Sequence, residues 1–358
     1  MGCLPSSPPL SPVSLGPAIA KGHPEETSAN LDLLRAVAVL CVYAAHFLSA
    51  TAWANFGSLG RFGVILFFVH TSFVLMASLD RMARTYAGPR LFYAFALRRF
   101  FRIYPLCIAT VLVVLLLKAP AEPLGSYHWI GWRDLASNLA ITQSLTYSQL
   151  SLDVLWSLPL EVQMYCLLPF MYLAIRWRRS AAFLFVGMSV AAALTIPKVI
   201  GRLVVFSYAP CFSAGVLGYA LAKTMKPRLG AWIWPFALLT AIAAFNPIDD
   251  IDLLHKLPRA WIVSLAVGCA IPFFHEVTLK PLRVGAHLIA KYSYGIYLSH
   301  SVVLWLALKQ MASFPTAVRA GVLVAGSIVL PLAMYHLIEA PAISFGKKFV
   351  RRILAPAP

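Results

Sequence analysis

The sequence is built from long apolar runs that are separated by short polar connections. A helical run of about 20 apolar residues matches the thickness of the hydrocarbon core of a bilayer. Only 12% of the residues are charged, whereas about 25% is usual for soluble domains. We predict an all-α integral membrane protein with about ten transmembrane helices, and nine or eleven are the nearest alternatives. The runs lie at residues 33–52, 62–79, 103–118, 156–175, 180–197, 203–222, 229–246, 260–276, 292–308 and 320–340.

Every second connection between these runs is basic, as is the C-terminal end. Because basic connections of membrane proteins face the cytoplasm, this alternation predicts that both termini are cytoplasmic. The same rule explains the formal charge of +17, so we expect a bacterial inner-membrane protein and no nucleic-acid partner. The basic residues are Arg81, Arg84, Arg90, Arg98, Arg99, Arg102, Arg176, Arg178, Arg179, Lys223, Lys226, Arg228, Lys280, Arg283, Lys291, Lys347, Lys348, Arg351 and Arg352. The acids of the intervening connections are Glu122, Asp134, Asp153, Asp249, Asp250 and Asp252.

The composition divides the chain into three regions. Residues 1–30 are rich in Pro, Ser and Gly and lack the layout of a signal peptide, which predicts a disordered cytoplasmic tail. Residues 31–345 form the transmembrane domain, and residues 346–358 form a basic cytoplasmic tail. The six cysteines show no CxxC or zinc-ligand spacing, so we expect buried, reduced thiols and no metal site.

The first apolar run contains two ionisable residues, Arg35 and His46, which are costly inside a membrane and therefore candidates for function. They lie eleven positions apart, which returns the side chain to within about 20° of the same helix face at an axial distance of roughly 16 Å. Asp32 and Tyr43 lie on the same stripe. Alternatively, Arg35 reaches the interface and pairs with Asp32, and His46 is a hydrogen-bonded structural histidine.

The fourth run opens with WSLPLEVQMYCLLP and places Glu161 about 8 Å below the outer edge of the membrane. His46 belongs to the outer part of the first run, so the two side chains are candidates to share a layer. Glu161 would then orient the imidazole or balance its charge. The alternative is an acid that is hydrogen-bonded between packed helices.

Further candidates lie in other runs. His300, in SYGIYLSH, falls near mid-depth with Tyr297 one turn earlier, and His70 is a weaker candidate. Glu339 lies at the inner end of the last run, where a structural role at the interface is expected. In RRFFRIYP, three arginines suit the binding of phosphates, although positive-inside topology also explains them. They are Arg98, Arg99 and Arg102.

Six segments resemble, in the same order, motifs of the membrane-bound acyltransferase 3 family, whose members O-acylate surface sugars, antibiotics and other hydroxyl acceptors. LDLLRAVAVLCVYAAH resembles the first-helix motif of this family, in which ten residues separate an Arg from a His. GRFGVILFFVHTSF is similar to the GxxGVxxFFxxSGF segment. The other four segments are RRFFRIYP, WSLPLEVQMYCLLP, SYGIYLSH and LIEAP.

The resemblance implies ten spans, a catalytic role for His46 and acyl-coenzyme A as a donor substrate, with no permanently bound cofactor. It also implies that Arg35 contacts the donor and that the arginine-rich segment holds its phosphates. Glu161 matches the acid that follows Trp156 and Ser157 in the family motif. His46 then serves either as a general base or as the acceptor of the acyl group, and both remain open.

One segment departs from the family pattern. Thr71 and Ser72 stand where Ser-Gly is usual, and His70 replaces an aliphatic residue. The loss of this glycine puts a close approach of two helices at this point in doubt.

We therefore predict a membrane O-acyltransferase that transfers an acyl group, acetyl by default, from cytoplasmic acyl-coenzyme A to a hydroxyl of a sugar or another envelope or small-molecule acceptor. The alternative is a secondary transporter of a small acid or modified sugar, in which the intramembrane His, Glu and Arg form a proton relay. The paired repeats with broken helices that are common in transporters are not visible in the sequence.

Overall fold

The computed structural model describes residues 28–51, 56–245 and 253–354, with side chains from residue 257 onward in the last range. Over these residues the chain forms thirteen α-helices and no strand, which confirms the predicted all-α class. The helices are α1 (Ala29–Ala50), α2 (Gly57–Met82), α3 (Pro89–Leu116), α4 (Trp132–Ala140), α5 (Gln143–Thr146), α6 (Leu158–Trp177), α7 (Ala181–Val199), α8 (Val205–Ala222), α9 (Ile233–Phe245), α10 (Leu253–Ala270), α11 (Lys280–Leu304), α12 (Thr316–Met334) and α13 (Ala340–Leu354). Short 3₁₀ turns lie at Asp153–Ser157 and Ile271–Phe273, and π-helical turns at Trp305–Gln310 and Tyr335–Glu339.

Seven helical segments of the described chain are long and apolar enough to cross a bilayer. They are α1, α2, α3, Asp153–Trp177, α7, α8 and Thr316–Leu354. The protein is therefore a multi-pass membrane protein. The other three expected runs lie on α9, α10 and α11, so the count of ten remains a prediction.

The apolar helices α7 and α12 expose most of their surface. Both lie entirely within the described residues, and their only buried side chains are Ala182 in α7 and Pro331 in α12. Because exposed apolar surface is unfavourable in water, these two helices are expected to face lipid.

The interior of the bundle contains α2 and α8, which pack closely at Gly215. An added Cβ at Gly215 would overlap the hydroxyl of Ser72 and the carbonyl of Val69. Ser72 Oγ instead donates a 2.7 Å hydrogen bond to the Phe68 carbonyl within its own helix. The two helices therefore approach closely at this point, although α2 lacks the glycine of the family pattern. The glycine that permits the approach belongs to α8.

Helices α1 and α11 run in parallel, in contact along their length. This direction is the one expected for the first and ninth runs of an alternating bundle. From one end to the other, the contacts are Asp32 Oδ2 to His287 Nδ1 at 2.8 Å, Arg35 Nε to Ser293 Oγ at 2.6 Å, and the ring centroids of His46 and His300 at 5.0 Å.

Several helix termini meet at the end of the bundle where α1 begins, which we call the basic end. Nζ of Lys223, just after α8, donates a 2.6 Å hydrogen bond to Asp80 in the last turn of α2. Tyr172 of α6 donates to the same carboxylate at 3.2 Å. Gly60 of α2 lies beside Ala45 of α1, and Gly63 lies beside Ala38, so these two helices are antiparallel, and the end of α2 lies at the start of α1.

The structure describes a few residues of each predicted tail. Ser28 caps α1 by accepting a hydrogen bond from the Leu31 amide, and the next residues are already helical, so α1 begins before residue 31. Residues 346–354 continue α13, with Gly346 packed against Phe101 of α3. Residues 1–27 and 355–358 lie outside the described residues.

Helix α3 is longer than its apolar run indicates. It starts at Pro89, directly after Gly88, which has a φ of 53° that favours glycine. At 28 residues it measures about 42 Å. The three arginines of RRFFRIYP, expected in a connection at the membrane edge, therefore lie on the helix itself.

Candidate functional site

A cavity of about 90 Å³ lies between α1, α2, α3, α6 and α11. This volume holds several water molecules. Its polar lining comes from Arg35, His70, Thr71, Arg99, Arg102, Ser157, Glu161, Tyr165, Ser293, Tyr294 and Tyr297. Three cations, Arg35 of α1 and Arg99 and Arg102 of α3, therefore share one cavity, which we call the arginine cavity.

Arg35 enters the arginine cavity from α1. Its Nε donates a 2.6 Å hydrogen bond to Ser293 Oγ, which in turn donates to the Ala290 carbonyl at 2.8 Å. The charged groups that act on Arg35 are Arg102, Glu339 and Glu161. The guanidinium is thus fixed by α11 through one nitrogen, while its other nitrogens remain to bind an anion.

Arg102 forms an ion pair with Glu339, at the end of the π-helical turn before α13. The Glu339 side chain is fully buried, and its Oε2 has no hydrogen-bond partner among the described residues. This ion pair joins α3 to the junction of α12 and α13. It also holds one cation of the cavity in place.

The other two arginines of RRFFRIYP have different surroundings. Arg99 lines the cavity and lies over the Phe95 ring, 5.9 Å from its centroid. Its Nε is buried and has no hydrogen-bond partner in the described part of the chain. Arg98 lies over Tyr86, 5.9 Å from that centroid, and does not line the cavity.

Glu161 also lines the arginine cavity. It accepts a 2.6 Å hydrogen bond from Tyr165, one turn later in α6, and interacts electrostatically with Arg35 and Arg99. The carboxylates that act on His46 are those of Asp153 and Glu122. The sequence suggested that Glu161 and His46 share a layer. The structure instead places Glu161 with the arginines.

Farther from the basic end, His46 and His300 form an imidazole pair. Their ring centroids are 5.0 Å apart with planes at 72°, an edge-to-face contact. His300 is buried, whereas His46 is half-buried. Tyr43 flanks the pair, 5.9 Å from the His300 ring, and its hydroxyl shares a 2.7 Å hydrogen bond with Ser327 of α12. The sequence identified these three residues but not that His300 is the neighbour of His46.

Tyr297 lies between the arginine cavity and the imidazole pair. It lines the cavity, and its ring is 6.1 Å from that of His300. Its hydroxyl donates to the Val154 carbonyl at 2.7 Å and contacts Ser157 Oγ at 2.7 Å. Phe67 packs edge-on against the same ring. The rings of Tyr297 and Phe67 therefore lie on the side of the arginine cavity that is nearest to the imidazole pair.

Other predicted residues take supporting positions. Trp156 packs against Tyr208 of α8 with ring centroids 5.6 Å apart, so it supports the start of α6. Asp32 accepts a hydrogen bond from His287 at the basic end. His70 is buried and lines the arginine cavity.

Sequence reasoning missed several residues of the site. Ser293, Tyr165 and Tyr294 carry no charge, and hydroxyl groups at membrane depth are common in helix packing. Glu122 and Asp153 lie in connections and were interpreted only as topology markers. The proximity of Asp153 to Trp156 and Ser157 was the one available signal.

Comparison with known proteins identifies the family of the chain. Residues 28–336 match the acyltransferase domain family known as acyltransferase 3. The chain belongs to this family. It is similar to the peptidoglycan O-acetyltransferase OatA of Listeria monocytogenes serovar 1/2a, with 24% identity over 361 residues. The alignment covers 87% of this chain and 55% of that protein, so the chain spans about half the length of this relative. No solved structure matches the chain.

Within this acyltransferase domain, the two regions have different chemical abilities. The arginine cavity concentrates positive charge that can hold an anionic group in a site shielded from water. The imidazole pair offers nitrogen atoms that can accept a proton or attack an acyl carbon. Both regions lie on the contact between α1 and α11.

Proposed function

We propose that the protein is a membrane O-acyltransferase that transfers an acyl group, acetyl by default, from acyl-coenzyme A to a hydroxyl of an envelope sugar or another acceptor. One observation carries the proposal: the arginine cavity and the imidazole pair lie in succession along the same two parallel helices. An anionic donor needs the first and an acceptor hydroxyl needs the second. Membership of the acyltransferase domain family supports the reaction class.

The donor enters at the basic end, which we place in the cytoplasm because of the basic connections gathered there. We propose ten spans with both termini inside, in a bacterial inner membrane. The phosphates of coenzyme A bind Arg99 and Arg102, with Arg98 at the basic end. The thioester arm then passes Arg35 toward His46.

His46 is the proposed catalytic residue. As a general base, it removes the proton of the acceptor hydroxyl while the oxygen attacks the acyl carbon and the carbon–sulfur bond breaks. As a nucleophile, it first takes the acyl group itself. Among the supporting positions, Asp32 and Tyr43 hold α1 against α11 and α12, and Tyr297 holds α11 against the 3₁₀ turn before α6. The acceptor reaches His46 from the side opposite the donor.

The name of the Listeria relative suggests which acceptor to test first. That protein is described as a peptidoglycan O-acetyltransferase. We propose that muropeptide hydroxyls are the first class to offer, followed by other envelope glycans and small sugars.

The test is release of coenzyme A thiol from acetyl-coenzyme A by the purified protein in nanodiscs, with soluble peptidoglycan fragments as acceptor. We expect release that requires the acceptor and falls at least 1,000-fold in His46→Ala, on the order of the loss of a general base. His336→Ala is the matched control, because His336 is exposed and lies outside both regions. If folded wild-type protein releases no thiol with any donor and acceptor, the proposal fails, and proton-coupled transport is tested in its place.

A further inference from the structure

His300 differs from the other buried histidine of the described chain, His70, in that the backbone fixes its ring. Its Nδ1 lies 3.1 Å from the Ile296 carbonyl and 2.8 Å from the Tyr297 carbonyl. Carbonyl oxygens only accept hydrogen bonds, so Nδ1 must carry the proton. A neutral imidazole with a proton on Nδ1 has a bare Nε2, which is a hydrogen-bond acceptor.

This Nε2 is buried and has no hydrogen-bond partner among the residues that the structure describes. Buried polar atoms without a partner are rare in folded proteins and usually have a functional cause. The ring beside it is that of His46, in edge-to-face contact at 5.0 Å between centroids. The other rings close to His300 are Tyr43 at 5.9 Å and Tyr297 at 6.1 Å, and the hydroxyls of both have partners elsewhere.

We propose that His300 is a positioning residue for His46: its bare Nε2 accepts a hydrogen bond from one ring nitrogen of His46 and leaves the other nitrogen free to receive a proton. His46 turns about its Cβ–Cγ bond to make this contact when the acceptor arrives. The inference rests on the proposed function, and on the alternative in which His46 acts as the general base. It assigns to a neutral imidazole the orienting task that a carboxylate often performs for a working histidine.

The proton and bond changes balance as follows. The acceptor oxygen bonds to the acyl carbon, and its proton moves to the free nitrogen of His46. The imidazolium that forms is stabilised by donating its other N–H to His300 Nε2. The carbon–sulfur bond breaks, and the departing thiolate of coenzyme A takes the proton back from His46. His300 never changes its own protonation.

Two substitutions separate positioning from packing. The amide of His300→Asn can donate to the backbone carbonyls as Nδ1 does, but it places no acceptor where Nε2 was. His300→Gln places an amide oxygen near that position. We expect kcat to fall about 30-fold in the Asn variant, as for the loss of one charge-assisted hydrogen bond, and about 3-fold in the Gln variant. Both KM values should stay within about 2-fold. His336→Gln is the matched surface control.

A second measurement does not depend on acyl transfer. The rate at which diethylpyrocarbonate modifies His46, followed by mass spectrometry of the His46 peptide, reports the nucleophilicity of that ring. We expect this rate to fall about 3-fold in His300→Asn and to remain near wild type in His300→Gln. If the wild type transfers no acyl group, the proposed function fails. The modification rate of His46 still tests the role of His300 in that case.

Three outcomes would overturn the inference. One is a His300→Asn variant within 2-fold of wild type in both kcat and modification rate. The second is a rise in acceptor KM at unchanged kcat, which would place Nε2 on the acceptor itself. The third is an equal loss in the Asn and Gln variants, with unfolding in detergent at lower temperature than wild type, which would show a packing role.

Discussion

The arginine cavity and the imidazole pair lie on the same helix contact, but their polar groups are satisfied in different ways. In the cavity, side chains from distant parts of the sequence hold the cations: Ser293 binds Arg35, and Glu339 binds Arg102. In the imidazole pair, the backbone of α11 holds His300, and its Nε2 has no partner within the described ranges.

This difference suits one region to binding and the other to proton transfer. An arginine held by other side chains binds an incoming anion by exchanging or sharing those partners, so the affinity for the anion depends on all of them. An imidazole held by the backbone of its own helix keeps one nitrogen free without losing a hydrogen-bond partner. We therefore interpret the cavity as the part that holds the donor and the imidazole pair as the part that moves the proton.

The largest effect on stability is expected for Arg102→Met. This change leaves the buried Glu339 carboxylate without its partner, which costs about 3 kcal/mol in comparable buried pairs. The free energy of unfolding, measured by titration with dodecyl sulfate in mixed micelles, should fall by about that amount. The KM for acetyl-coenzyme A should rise as well, because a cation of the cavity is lost.

The double variant Arg102→Met/Glu339→Gln separates the two effects. Removing both charges should recover most of the stability, since no unpaired charge is left. The raised KM should remain. A double variant as unstable as Arg102→Met alone would show that the pair does not hold these helices together.

Arg35→Lys should affect binding more than stability. Lysine keeps the charge, but its compact ammonium cannot bind Ser293 and the donor with the geometry of a guanidinium. We expect the KM for acetyl-coenzyme A to rise about 10-fold, from the loss of one charge-assisted hydrogen bond, with kcat within about 2-fold. Arg90→Lys, in the exposed first turn of α3, is the matched control. An effect on kcat alone would place Arg35 with the imidazole pair instead.

Glu161→Gln tests whether this acid acts in the arginine cavity or on the imidazole pair. The amide oxygen can still accept the hydrogen bond of Tyr165, while the negative charge near Arg35 is lost. If Glu161 belongs to the cavity, the donor no longer competes with a carboxylate, and its KM should fall about 3-fold. A loss of about 100-fold in kcat at constant KM would instead restore the pairing of Glu161 with His46.

The sequence predicted the parts of this arrangement that depend on helix periodicity. Arg35 and His46 were expected on one face of the first helix, and both contact α11 in the structure. The period of the helix determines this face without knowledge of any neighbour. The alternation of basic connections likewise indicated the parallel direction of α1 and α11.

The sequence could not predict which side chains meet across helices. Arg102 and Glu339 are 237 residues apart, and nothing in either segment indicates the other. Glu161 was assigned to His46 by depth alone, whereas the rotation of α6 about its axis depends on tertiary packing. The close approach at Ser72 was in doubt for the same reason, because the glycine that permits it, Gly215, lies on another helix.

The smallest effect is expected at the outer edge of the imidazole pair. Nζ of Lys309, in the π-helical turn after α11, donates hydrogen bonds to the carbonyls of Leu124 and Gly125. These residues belong to the connection that carries Glu122, one of the acids that act on His46. Lys309→Met should loosen this connection and raise the KM for the acceptor about 2-fold, because each exposed hydrogen bond contributes only about 1 kcal/mol.

The KM for the donor should not change in this variant, since the connection lies far from the arginine cavity. Initial rates measured at varied acceptor and then at varied acetyl-coenzyme A separate the two constants. Lys280→Met, exposed at the basic end, is the matched control and should leave both constants within error. A change in the donor KM with Lys309→Met would mean that the two regions do not work independently, because a contact beside the imidazole pair would then alter binding in the cavity.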